Sequence, residues 1–281
     1  MEFAHTFLPT AASVGLLPVI TWFFMLIALY AFIGNFIFAL STRTSVAPEH
    51  RISRNYTAII AAVAGISYFL IQSYYHDMLE ELAHLSDPDK RLTLINRSYN
   101  AIGQLRYMDW AVTTPLLLLK IVSMVKIRYR DHQLLINTLL IADFFMILTG
   151  YIGEQQLSVD NQILVVPKLI WGAVSTIGYV IVLLTLWRIW RTFAQSSSVH
   201  PEERWGFRLM ALMTATFWGV YPIGYILTTM EGVNLNWIHI AFSVADIINK
   251  VGVGAIAFQA AEQVLERRVS EAATAPYHTV G

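Results

Sequence analysis

The sequence predicts an all-α fold, a bundle of seven transmembrane helices, and three observations predict it. Of the 281 residues, 56% are hydrophobic and only 14% charged, where soluble chains carry about 25% charged residues. The charges collect in short clusters, separated by apolar stretches close to the roughly 20 residues that a bilayer demands. Lys and Arg crowd every second connection and are scarce in the others. Because 19 basic residues balance 19 acidic ones, the basic excess that drives phosphate binding is missing, and no nucleic-acid partner is expected. The lack of any cysteine excludes a disulfide framework, a thiolate zinc site, an iron–sulfur cluster and a cysteine nucleophile.

Apolar segments fall at about 14–40, 56–76, 99–125, 132–153, 163–190, 206–230 and 237–262, and these are helices one to seven. Before helix one, Met1 to Pro18 has neither a basic n-region nor a small-residue cleavage site, so a short tail is expected there rather than a removable signal peptide. Arg43, Arg51 and Arg54 separate helix one from helix two. A long connection with Glu80, Glu81, Asp87, Pro88 and Asp89 leads to helix three and has room for a hairpin or a short helix. Lys126, Arg128 and Arg130 stand between helices three and four, and Arg188, Arg191 and Arg204 between five and six. The connections four–five and six–seven hold no Lys or Arg, and Arg267 and Arg268 follow helix seven. Cytoplasmic connections retain Lys and Arg. With eleven on one side against Lys90, Arg91 and Arg97 on the other, the N-terminus is expected outside and the C-terminus in the cytoplasm. The expected organisation is one membrane domain over residues 1–268 and a small, polar, mobile cytoplasmic tail over 269–281.

Several charges lie inside the spans: Arg106, Asp109 and Lys120 in helix three, Asp143 in helix four, and Asp246 and Lys250 in helix seven. Lys168 and Arg208 lie near helix ends. An ionisable group at mid-membrane costs a few kcal/mol, so each is a functional candidate with a partner to be found. Asp246 precedes Lys250 by four residues and shares its face. Arg106, Asp109 and Thr113 share a face of helix three. Lys120 follows Asp109 by eleven residues, which returns to within about 20° of the same azimuth some 16 Å further along the axis. One inward stripe therefore runs from Asp109 to Lys120. The plain reading of such charges is a set of structural ion pairs. A buried lysine beside two carboxylates has a more specific use, because its amine can form a Schiff base whose protonated form needs a counterion.

Aromatic side chains fit a bound ligand. Trp110, Trp218, Tyr221, Tyr225 and Met146 fall at mid-span depth, and Pro222 kinks helix six beside them. A long, flat, apolar chromophore wants such walls. Gly150, Gly172 and Gly219 at comparable depth equally serve close helix packing.

The run Arg106-Tyr-Met-Asp109-Trp110-Ala-Val-Thr113-Thr114-Pro115-Leu-Leu-Leu-Leu-Lys120 resembles the third helix of microbial (type 1) rhodopsins. Asp246-Ile-Ile-Asn249-Lys250 resembles their retinal-attachment helix, and Trp218-Gly-Val-Tyr221-Pro222 their sixth. The resemblance covers all seven helices in order, with the bacterial proton pumps as the similar branch. It implies a photoactive membrane protein rather than an enzyme, with all-trans retinal bound covalently to Lys250. Asp109 and Asp246 are implied as the counterion pair, Asp109 as primary proton acceptor, Arg106 as the gate and Thr113 as the hydrogen-bond partner of Asp109. Trp110, Trp218 and Tyr221, with Thr114, Pro222 and Tyr225 nearby, are implied to clamp the polyene. Met146, Gly150, Ser175 and Asp143 are implied around the ring end, with Leu117 and Asn249 as colour-tuning positions. No metal is implied. The implied setting is a multi-pass protein of a bacterial cell membrane, in contact with lipid, protons and retinal. Homo-trimers or pentamers are common in the family.

The sequence departs from the family pattern at several places. Lys120 stands where a carboxylic acid usually reprotonates the Schiff base. A lysine there is costly to keep charged in an apolar surround, so it either relays a proton as a neutral amine or leaves reprotonation slow. Leu70 is aligned with the helix-two histidine of many bacterial pumps. Of the usual pair of release glutamates, Glu231 is one candidate and Ile238 replaces the other, with His239 as a release or gating group or a mere interfacial residue. Arg54 is either a topology charge or a group that reaches into the cytoplasmic cavity and hinders proton uptake. The readings left open are a light-driven outward proton pump, a slow sensory or photochromic receptor with a transducer partner, and a retinal-free transporter in which Lys250 and Asp246 are a plain ion pair.

Overall fold

The structure is a computed structural model and describes residues 8–274. Helix one spans Leu16–Ser41, helix two Arg51–His84, helix three Pro88–Ser123, helix four Gln133–Glu154 and helix five Val165–Ile189. Helix six comes in two pieces, Pro201–Phe217 and Val220–Leu227, and helix seven runs as Leu235–Ile247, a π turn Ile248–Gly252 and Val253–Thr274. Each helix packs on the next in sequence, and helix one also packs on helix seven, so the seven rods close into a ring. Six of the rods are long and apolar enough to cross a membrane among the described residues. Helix three is the other rod; its interior carries the charges Arg106, Asp109 and Lys120 that dilute its apolar character. The protein is a multi-pass membrane protein.

The connection between helices two and three differs from expectation. It is neither a hairpin nor a separate short helix, because both helices run on past the apolar core and only residues 85–87 separate them. The reason is a helix start: Asp87 caps helix three by accepting from the main-chain N–H groups of Asp89 and Lys90 at 2.9 and 3.4 Å, with Pro88 in the first turn. The acidic residues read as a loop thus belong to helix ends. Helix seven continues through Thr274, so 269–274, placed by the sequence in the tail, are helical, and the remainder of that tail lies outside the described residues.

Two helix irregularities position the site. Pro222 has no N–H to offer the carbonyl of Trp218, and the N–H of Tyr221 takes that carbonyl instead at 3.2 Å. Helix six therefore breaks at Trp218 and Gly219, four residues ahead of the proline. In helix seven, the π turn holds Asn249 and Lys250; such turns insert one extra residue per turn and recur at functional sites. Pro115 leaves helix three unbroken, and the hydroxyls of Thr113 and Thr114 beside it bond the carbonyls of Asp109 and Trp110 one turn back at 3.0 and 2.8 Å.

Candidate functional site

Lys250 sits between two carboxylates in the middle of the ring. Its Nζ pairs with Oδ2 of Asp109 on helix three, and lies 3.5 Å from Oδ1 of Asp246 one turn back on helix seven. The two acids have different surroundings. Asp246 accepts from Tyr68 and Tyr221 at 2.7 Å each, from Trp110 Nε1 at 3.3 Å and from Arg106 Nη1 at 3.4 Å. Arg106 also donates to the Tyr68 hydroxyl at 2.8 Å. Asp109, by contrast, has Lys250 on one carboxylate oxygen, while its Oδ1 is buried without a hydrogen-bond partner among the described residues. Thr113 does bond Asp109, but through the main-chain carbonyl rather than the carboxylate.

A cavity of about 290 Å³ opens from Lys250 toward helices four and five. Every residue the sequence assigned to the site lines it except Asp109, Asp143 and Lys120. Asp109 is joined to it through the Lys250 amine, and Asp143 through Thr114, whose hydroxyl oxygen lies 2.9 Å from Oδ2. Trp110 and Tyr221 stand with ring centroids 4.7 Å apart on one wall, and Asn249 donates to the Tyr221 hydroxyl at 3.3 Å. At the far end, Ser175 donates to the carbonyl of Met146 at 2.7 Å. A Cβ on Gly150 would meet the Tyr107 hydroxyl at 3.0 Å, and one on Gly172 would meet Tyr225 at 2.7 Å, so both glycines give the cavity its length. An apolar slot walled by aromatic rings, with a buried amine at one end, fits a flat polyene aldehyde.

Lys120 is separate from this cavity. It is buried, with 1% of its surface exposed, and no carboxylate pairs with it among the described residues. Arg54 shares its end of the bundle and is equally buried, donating to the Phe38 carbonyl at 3.0 Å and to Thr42 Oγ1 at 2.5 Å, under the rings of Phe38 and Phe258. Arg54 is thus not a solvent-exposed charge; it is buried against the end of helix one.

Two expectations are corrected. Leu70 is 46% exposed on the outer face of helix two, so it stands against no carboxylate; two residues earlier, Tyr68 turns inward and bonds Asp246. Glu231 is exposed between helices six and seven and does not line the cavity, because Thr228 to Met230 close the end of helix six in turns and carry it away from the ring. The sequence also missed a buried pair, Glu154 Oε2 with Lys168 Nζ at 2.9 Å, and the acid of that pair lines the cavity. Its only signal was a charge at each inner edge of a connection that has no other basic residue. At the other end, the buried pair of His50 Nε2 and Glu203 Oε1 at 2.7 Å, joined by Lys126 at 3.0 Å, holds the start of helix six against helix two.

A seven-helix membrane protein that buries an amine between two carboxylates at the end of an aromatic slot defines a class of chromophore-binding bundles. The sequence profile of Bacteriorhodopsin-like proteins matches residues 18–264. The chain belongs to that family, whose members bind retinal covalently through a lysine Schiff base; retinal is accordingly its cofactor. Among relatives, it is 28% identical over 227 residues to a Bacteriorhodopsin-II-like protein of Haloquadratum walsbyi, covering 80% of this chain and 83% of the relative. It is 32% identical over 160 residues to Bacteriorhodopsin of Halobacterium salinarum, covering 56% of each chain. The structure resembles that of Exiguobacterium sibiricum rhodopsin at 25% identity and a TM-score of 0.72, covering 89% of this chain and 99% of that one. It shares its fold with Xanthorhodopsin, described as a light-driven ion pump with dual chromophore, at 23% identity and a TM-score of 0.72, over 90% and 96% of the two chains.

Proposed function

We propose that the chain is a light-driven outward proton pump, with Lys250 as the retinal-bearing lysine, the N-terminus outside and the C-terminus in the cytoplasm. Lys250 is the lysine that lines the slot. Held there as a Schiff base, retinal supplies absorption of visible light and an isomerisation that re-aims the proton on Nζ. The observation that carries the proposal is the inequality of the two acids. Asp246 is held by four donors besides Lys250, and charge-assisted bonds of that kind keep a carboxylate ionised. Asp109 has a free buried oxygen and a single partner, so it takes the Nζ proton while Asp246 remains the fixed counterion.

Arg106 lies on the Asp246 side of the amine and separates it from the outer end of the bundle. Lys120 lies on the other side, along the same helix as Asp109, and returns a proton toward Nζ. The bacterial cell membrane and a homo-oligomer, trimer or pentamer, belong to this reading. Vesicles holding the retinal-loaded protein test it: illumination is expected to produce a pH change that an uncoupler abolishes and that disappears in Asp109→Asn.

A second reading, a slow sensory or photochromic receptor with a transducer partner, is favoured by one observation. Among the described residues, Lys120 has no carboxylate beside it and a buried arginine at its end of the bundle, an arrangement that holds protons back. A millisecond recovery independent of bulk pH would exclude that reading.

A further inference from the structure

His239 is buried on helix seven, two turns before Asp246, and lines two cavities at once. One is the main slot, which Arg106 also lines. The other has about 20 Å³ and lies further toward the end where helix seven starts, bounded by Ser98, Asn236 and Tyr75. Its volume suits a single water molecule, which needs two to four polar partners. Polar residues line it: Ser98 and His239, whose hydroxyl and Nδ1 are buried without hydrogen-bond partners among the described residues, and Asn236, tied to the Tyr75 hydroxyl.

The imidazole packs against two aromatic rings. Its centroid lies 5.0 Å from that of Tyr99 on helix three and 5.8 Å from that of Tyr75 on helix two. The charged and titratable groups around it are Tyr75 from helix two, Tyr99 and Arg106 from helix three, and Asp246 further along its own helix. No carboxylate pairs with it among the described residues. A histidine fixed by ring packing, with a ring nitrogen unpartnered and a cavity on each side, is placed to exchange protons rather than to brace the bundle.

We infer that His239 is the relay by which protons leave the main cavity, passing them to water in the small cavity. This rests on the proton-pump reading, and takes the place of the paired release glutamates that this chain lacks. A proton from the Arg106 side adds to one nitrogen of the neutral ring. The proton on the other nitrogen departs to the water, and the ring is again neutral in its other tautomer. Nothing is oxidised, and one proton enters for each that leaves.

Flash excitation of the retinal-loaded protein with a pH-indicator dye tests the inference. His239→Phe keeps the ring contacts and removes both nitrogens. It is expected to form pigment and to deprotonate Lys250 Nζ on excitation, while delaying the appearance of the proton in bulk relative to that step by on the order of 100-fold. His239→Gln serves as the second variant should the phenylalanine fail to take retinal, with the same delay expected. Release timing that stays at the wild-type value in a pigment-forming variant, while the wild type still pumps, overturns the relay alone. Absence of any light-driven proton signal in the wild type overturns the pump reading and the relay together.

Discussion

Tyr68 of helix two donates its hydroxyl to Asp246 of helix seven at 2.7 Å, and receives Arg106 of helix three on the same oxygen at 2.8 Å. With Tyr221 of helix six, four helices meet on one carboxylate. Hydrogen bonds to a charged group are each worth about 1.5–3 kcal/mol. Tyr68→Phe is expected to cost about 2 kcal/mol by that measure, seen as a lower temperature for thermal loss of visible absorbance. A bleaching temperature equal to that of the wild type would show that Tyr68 does not hold the counterion.

The acceptor role of Asp109 predicts a split between two variants. Asp109→Asn is expected to form pigment and lose light-driven proton movement, since an amide cannot take the Nζ proton. Asp246→Asn leaves four donors facing a neutral amide, so it is expected to reduce the yield of folded pigment instead. Retinal titration and vesicle pH recording separate the outcomes; proton pumping by Asp109→Asn would refute the assignment.

Lys120 is buried with no carboxylate paired to it among the described residues, and an unpaired buried charge is expensive. Lys120→Met should therefore be neutral or stabilising in a thermal melt. It should also slow reprotonation at Lys250 by on the order of 100-fold, the usual worth of a positioned proton donor, and make it depend on bulk pH. Unchanged recovery kinetics would remove Lys120 from the mechanism.

Helices four and five approach backbone to backbone at Gly178, where an added Cβ would lie 2.7 Å from the carbonyl of Ala142 and 2.9 Å from the Cβ of Met146. Neither atom can be rotated away. Gly178→Ala is expected to destabilise the bundle by about 1–3 kcal/mol and to shift the absorption band, because Met146 lines the slot. Gly34→Ala, which faces open space, is the control and should melt like the wild type.

The His50 and Glu203 pair ties helix two to helix six at full burial. Removing one member of a buried pair costs about 3–5 kcal/mol. Glu203→Ala is thus expected to lower the melting temperature sharply, with the absorption maximum unchanged because the pair is remote from Lys250. A shifted maximum with unchanged melting would contradict that separation.

Much of the site was legible in the linear chain because a helix converts spacing into direction. Asp246 and Lys250 at four residues, and Arg106, Asp109 and Thr113 at three and four, share faces whatever surrounds them. The same rule erred at Leu70, where an alignment stood in for helical phase, and the phase points Tyr68 inward instead. Arg54, Glu154, Lys168 and Glu203 carried no such spacing signal. Each finds its partner on another helix, and sequence distance does not encode which helices touch. With them, the interior charge set grows from three of each sign to Arg54, Arg106, Lys120, Lys168 and Lys250 against Asp109, Asp143, Glu154, Glu203 and Asp246 among the described residues.

The sequence by itself determined the seven helices, the shared face of Asp246 and Lys250 and the inward stripe of helix three, since bilayer length and helical period are local properties of the chain. Tertiary structure alone decided which acid is saturated and which is left with a free oxygen. It also turned the loop acids into a helix cap, opened the π turn under Lys250, and set His239 between two cavities. Those features depend on what faces each group across the ring. Where little water reaches, the donors that face a buried carboxylate decide how firmly it is held.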